Sequence, residues 1–131
     1  QVTLEFIYDR IYINQIGGDI MMADIDGVKR DIVSKGLEIL GDKVYKIILF
    51  GSYARGDFEE DSDVDIMMLL DCKRNDLPQY RQMLSGISGS ISLNNNVTVS
   101  LLLNDKETFY DKMNILPFYQ NVEKDGVVLY G

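Results

Sequence analysis

Apolar residues recur along this chain in two periods, and the switches between them mark out its elements. From Asp24 or Asp26 to about Leu40 they fall at Ile25, Val28, Ile32, Val33, Leu37 and Leu40. This is the spacing of an amphipathic helix, with an aspartate to cap its start and Gly41 to stop it. Val44 to Phe50 and Asp63 to Leu70 are short apolar runs of strand length. Asn75 or Asp76 caps a second helix through about Ile91, with Pro78 in its first turn and Leu77, Tyr80, Leu84, Ile87 and Ile91 facing inward. Asn94-Asn95-Asn96 reads as a turn, Val97 to Leu103 as a third strand, and Asp105 to Met113 as a helix capped by Asp105. Pro117 begins a last helical turn before Gly126 and the strand Val127 to Tyr130. The fold class is α/β (α+β), a small mixed β-sheet with helices mainly on one face.

The 131 residues suit one domain. We expect it over residues 22–131, with residues 1–21 as an N-terminal extension that is not native. Gln15 to Met22 can be back-translated to a purine-rich ribosome-binding site just ahead of a Met start. The alternative is a genuine strand or helix, since Leu4, Phe6, Ile7, Tyr8, Ile11, Tyr12 and Ile13 are too apolar for a disordered tail.

The chemistry concentrates between the first two strands. Gly51-Ser52 forms a turn after Phe50, and Asp63 and Asp65 lie two residues apart at the start of the next strand, so strand alternation puts both carboxylates on one face. Two hard anions side by side call for a cation, and magnesium is commonly held by one or two carboxylates together with substrate phosphates. The Gly-Ser turn offers N–H groups and a hydroxyl to those phosphates. Gly51 and Gly56 have Walker A spacing, but Asp57 and Phe58 stand where that loop needs Lys and Ser/Thr. Asp61, Asp63 and Asp65 imitate a calcium loop, yet Ile66 replaces its turn glycine. The plainest alternative is a solvated acidic loop, because six of the nine residues from Asp57 to Asp65 are carboxylates. Turn, spacing and strand together favour a metal–nucleoside triphosphate site.

Charge and composition narrow the partners. A net charge of −8 argues against a nucleic-acid track, which needs clustered Lys and Arg. A lone cysteine, Cys72, and the absence of histidine argue against zinc or an internal disulfide. No apolar run reaches the length of a membrane span and no signal pattern opens the chain, so the expected location is cytoplasmic.

Gly51-Ser52, ten further residues, then Asp63-Val64-Asp65 resembles the signature of the nucleotidyltransferase superfamily related to DNA polymerase beta. The wider match, Phe50 to Gly56 with Ser62 to Asp65, is most similar to the minimal nucleotidyltransferases of the MntA antitoxin type, and it extends loosely from about Asp24 to Gly131. The resemblance implies the nucleotidyltransferase fold, Mg2+ as cofactor and ATP as substrate. Asp63 and Asp65 would be the catalytic and metal-binding carboxylates, and Gly51, Ser52 and Arg55 would bind the nucleotide. Arg55 has a second reading, an ion pair that fixes the acidic loop. AMP would pass to a hydroxyl of a partner protein, with a HEPN-type toxin as the partner implied.

Such enzymes usually carry a third carboxylate on a later strand. Here the site-facing alternates of Val97 to Leu103 are Thr98 and Ser100. That departure supports nucleotide binding more than catalysis. The competing functions are a small-molecule transferase resembling the aminoglycoside nucleotidyltransferases, and a catalytically weakened nucleotide- or partner-binding module.

Overall fold

A computed structural model describes residues 11–16 and 19–131. Residues 1–10 and 17–18, part of the expected extension, lie outside the described residues. Strands β1 (Ile11–Ile16) and β2 (Asp19–Asp24) pair antiparallel, with Ile11 opposite Asp24. Helix α1 (Ile25–Leu40) follows at once, because the Asp24 carboxylate accepts the Gly27 N–H at 2.8 Å. Gly41 ends it with a φ of 56° that L side chains rarely adopt.

The remaining elements are β3 (Val44–Phe50), α2 (Ser52–Arg55), β4 (Val64–Leu70), α3 (Leu77–Met83), α4 (Ile87–Asn95), β5 (Val99–Asp105), α5 (Lys106–Met113), α6 (Pro117–Asp125) and β6 (Val127–Tyr130). Four of these strands make a mixed sheet in the order β5-β4-β3-β6. β4 runs parallel to β5, while β3 is antiparallel to both β4 and β6. β4 is a central strand, and Val64 and every residue from Ile66 to Leu70 are buried. Ile47, Leu49, Val64, Ile66 and Met68 pack against α1, α3 and α4 in the main core. Ile48, Met67 and Leu69 face the other way and are covered by Phe109 of α5 and Val122 of α6. Alternation along β4 therefore divides two hydrophobic layers.

Several boundaries differ from the sequence reading: β4 starts at Val64, leaving Asp63 just ahead of the strand, and the last helical turn is the nine-residue α6. The expected helix from Asn75 or Asp76 to Ile91 is two helices, broken at Gly86 with φ 84°. Leu77, Leu84, Ile87 and Ile91 are all buried across the break, so the apolar period gave no sign of it. Asn94 and Asn95 are helical, and Asn96 alone takes the left-handed cap at φ 57°. Asn95 turns inward, its amide donating to Asp31 and to the Ile91 carbonyl, both at 2.9 Å. The third strand starts at Val99 and runs to Asp105, whose carboxylate accepts the Thr108 N–H at 2.9 Å and so caps α5 as expected.

Phe109 is fully buried and holds the smaller core, with its ring edge against Tyr110 and Tyr119. Phe109→Ala should cost about 3–5 kcal/mol. Urea denaturation measures this, and a loss below about 1 kcal/mol would mean that α5 and α6 are not anchored on the sheet.

Candidate functional site

Everything chemical in the sequence gathers where β3 ends and β4 begins. Gly51 has φ 76° and ψ −156°, a combination open essentially to glycine alone. A Cβ there would fall on the Asp65 Oδ2, so the turn backbone and the carboxylate share one space. Ser52 opens α2, which closes at Gly56 (φ 86°) with the Gly56 N–H on the Ser52 carbonyl at 2.9 Å. In the sheet, Asp65 stands between Phe50 of β3 and Ser100 of β5.

Asp63 is exposed and sits one residue before the strand, beside Thr98, whose carbonyl accepts the Val64 N–H at 2.8 Å. Burial pushes the Asp65 carboxyl above its usual range, the charge of Asp63 pushes it further, and Arg55 opposes both. The two carboxylates thus feel each other, and a cation would relieve both the burial and the repulsion. Among the described residues no group of three or more carboxylate, histidine or cysteine side chains could hold a metal by itself. The donor set fits magnesium that arrives with phosphate oxygens and water to complete its shell. Asp63 and Asp65 are the residues that would hold it.

Arg55 makes the pairing expected of it, Nε to Asp57 Oδ2 at 3.2 Å, and also lines the same cavity as Asp65. The acidic loop beyond it is built rather than loose. Phe58 stacks on Tyr53 with ring centroids 4.3 Å apart, and Glu59 and Ser62 exchange hydrogen bonds at 2.8 and 3.1 Å. A groove of about 780 Å³ runs between Glu59, Glu60 and Asp61 of this loop and Leu93 and Asn96 at the end of α4, with Thr98 ahead of β5.

Gly51, Ser52, Arg55 and Asp65 form one wall of a separate cavity of about 400 Å³. Phe118, Asn121 and Asp125 of α6 form the other. Sequence reading took α6 only as a last helical turn. Its signal was the 118, 121, 125 spacing, one helix face carrying an aromatic ring, an amide and a carboxylate together.

Among known proteins, the nucleotidyltransferase domain family matches residues 30–129. The chain is 36% identical over 99 residues to a Methanocaldococcus jannaschii protein that bears the provisional name protein adenylyltransferase, covering 76% of this chain and 88% of that protein. A second protein of that organism with the same provisional name is 35% identical over 88 residues, covering 67% and 80%. In structure the chain is similar to one in a toxin–antitoxin complex crystallised with AMP-PNP, at a TM-score of 0.53 and 20% identity over 79% of this chain and 73% of that one. A chain in a variant MntA–HpeT toxin–antitoxin complex is similar at a TM-score of 0.53 and 19% identity, again over 79% and 73%. At such identities the structural likeness establishes the fold. No helix among the described residues is long and apolar enough to cross a membrane.

The contact between Gly51 and Asp65 is open to direct test. Gly51→Ala should destabilise the metal-free protein by about 1–3 kcal/mol, and by less in an Asp65→Ala background, where the added methyl finds room. Urea denaturation of the four proteins of that cycle measures the coupling, and purely additive costs would show that the two groups do not share the space.

Proposed function

We propose, because this chain belongs to the nucleotidyltransferase domain family, that it binds magnesium–ATP at the Gly51–Asp65 junction and transfers AMP to a hydroxyl of a partner protein. The observation that carries this reading is the carboxylate of Asp65 seated against the Gly51 turn, at the mouth of a cavity that Ser52 and Arg55 also line. A phosphate chain laid along that turn meets a hydroxyl, a guanidinium and two carboxylates within one site. Magnesium on the phosphates would offset their charge against Asp63 and Asp65 and polarise the phosphorus that is attacked. Ser52 donates to a phosphate oxygen, and Arg55 steadies the charge that builds on the leaving pyrophosphate.

The acceptor oxygen forms a bond to the α-phosphorus as the bond from that phosphorus to the bridging oxygen breaks. Pyrophosphate leaves with the electron pair, and the hydroxyl proton passes to a nearby carboxylate or to water. The relatives' provisional name and the toxin–antitoxin setting of the fold neighbours support a protein acceptor, and we assign it as a HEPN-type toxin that the transfer silences. The acidic groove favours acceptors that carry Lys or Arg near the hydroxyl. A cationic small molecule is the second reading that this groove supports.

Ser100 faces Asp65 across the parallel β4–β5 ladder, at the place we assign to the family's third carboxylate. A hydroxyl is a weak, neutral ligand there, so the proposed activity is slow relative to binding.

Calorimetry should detect ATP binding that needs magnesium, disappears in Asp63→Ala and weakens in Ser52→Ala by one hydrogen bond, about 0.5–1.5 kcal/mol. Unchanged affinity in Asp63→Ala, or equal binding without magnesium, would refute the assignment.

Ser100→Asp should raise AMP transfer from labelled ATP to the partner while leaving ATP affinity nearly unchanged, with Thr98→Asp as the register control. A wild-type rate of roughly 1 s⁻¹ or more, unimproved by Ser100→Asp, would place the activating group elsewhere.

A further inference from the structure

We infer that α6 supplies a nucleoside subsite, in which Phe118 stacks on the base, Asn121 meets the base edge and Asp125 accepts hydrogen bonds from the ribose hydroxyls. This rests on the magnesium–ATP reading above and adds to it a selection for ribonucleotides.

The sheet order divides the site. β5, with Ser100, lies on one side of Asp65, and β3 and β6 lie on the other. The third-carboxylate place assigned to Ser100 puts the proposed acceptor on the β5 side. The nucleoside is left the side toward α6, where Phe118 meets Phe50 edge to face at 5.8 Å and the chain turns into β6. The cavity there, about 400 Å³, is within the roughly 300–1,000 Å³ typical of small-ligand sites.

The chemistry of the α6 wall matches a nucleoside. Phe118 is 45% exposed, so part of its ring is open for stacking. Asp125 is half-buried in the last turn of a helix, where the macrodipole disfavours an anion, and its carboxylate has no hydrogen-bond or ion-pair partner among the described residues. Such a group would repel phosphates. Its complement is a donor, and a nucleoside whose phosphates lie on the Gly51 turn brings one in the two hydroxyls of its ribose, which acidic side chains commonly bind. The Asn121 amide, also without a side-chain partner among the described residues, offers the paired donor and acceptor that a base edge takes.

The wall is held firmly. Val122 is buried between Asn121 and Asp125, and Tyr119 sets its ring against Phe109 at 5.4 Å. Gly126 lies where a Cβ would run into the Val122 carbonyl and Ile48 Cγ2, so the end of α6 lies directly on β3. A helix seated this closely can hold a carboxylate at a fixed place beside the cavity.

The test is calorimetry with magnesium and four probes: ATP, 2′-deoxy-ATP, 3′-deoxy-ATP and inorganic tripolyphosphate. Wild type should bind ATP about tenfold more tightly than at least one deoxy analogue, the scale of a hydrogen bond to a charged group. Asp125→Ala and Asp125→Asn should erase that preference, and Phe118→Ala should weaken ATP about tenfold. Phe118→Ala should leave tripolyphosphate binding unchanged, and neither Asp125 variant should weaken it. Wild type binding tripolyphosphate as tightly as ATP, or both deoxy analogues as tightly as ATP, would overturn the subsite without touching the phosphate site, and neither result depends on a variant that folds. A ribose preference that survives in Asp125→Ala would do the same. If tripolyphosphate and ATP both fail to bind wild type, the phosphate site itself falls and the subsite with it.

Discussion

The close approach of the Asp65 carboxylate to the Gly51 backbone is the constraint around which the site is arranged. It can be held only because β4 is fixed on both sides. Val64, Ile66, Met68 and Leu70 are buried in the larger core, and Met67 and Leu69 in the smaller one. A slip of one residue would send Asp65 toward α1 and bring apolar groups to the Gly51 turn. Both hydrophobic layers therefore oppose that slip. The register that seats Asp65 is specified by the burial of six neighbours, and the cost of half-burying its charge is borne by their packing.

Much of this was legible in the chain. The apolar runs located β3 and β4, the caps Asp24 and Asp105 behaved as short-range signals should, and the Gly-Ser turn with its spaced aspartates marked the site. What escaped depended on context. The period 77, 84, 87, 91 continues across the Gly86 break because two helices lie on one core surface, so periodicity reports the surface and not the break. Asn95 read as a turn residue for its polarity, yet it is buried because Asp31 and the Ile91 carbonyl satisfy its amide. The α6 wall was invisible for a different reason. Phe118, Asn121 and Asp125 reach the cavity beside Asp65 only when a helix distant in sequence folds back over β3.

Under the proposed function, the donor set suits a protein that stays folded while the site is empty. Asp65 already carries a raised pKa from burial and from Asp63, and a third anion at position 100, its neighbour across the ladder, would add repulsion to an empty site. Serine there keeps the ladder and removes the charge. Such a site costs less stability when empty, and the proposed metal would take more of its binding from the phosphates that arrive with it. This is the balance between stability and activity met at many functional sites.

The same economy explains why the site is open on one side and walled on the other. α6 is pinned to β3 by Val122, by the ring contact of Phe118 with Phe50 and by the tight fit of Gly126, and to α5 by Tyr119 against Phe109, so the cavity side has little freedom. Beyond Asp63 the acidic loop borders an open groove with exposed Glu59, Glu60 and Asp61 and with Leu93 of α4, which is 81% exposed. A small domain has little surface to enclose both a nucleotide and an acceptor. Rigid contacts fall on the side where the proposed nucleotide would be held in one geometry, and the proposed acceptor would bring its own structure to the other.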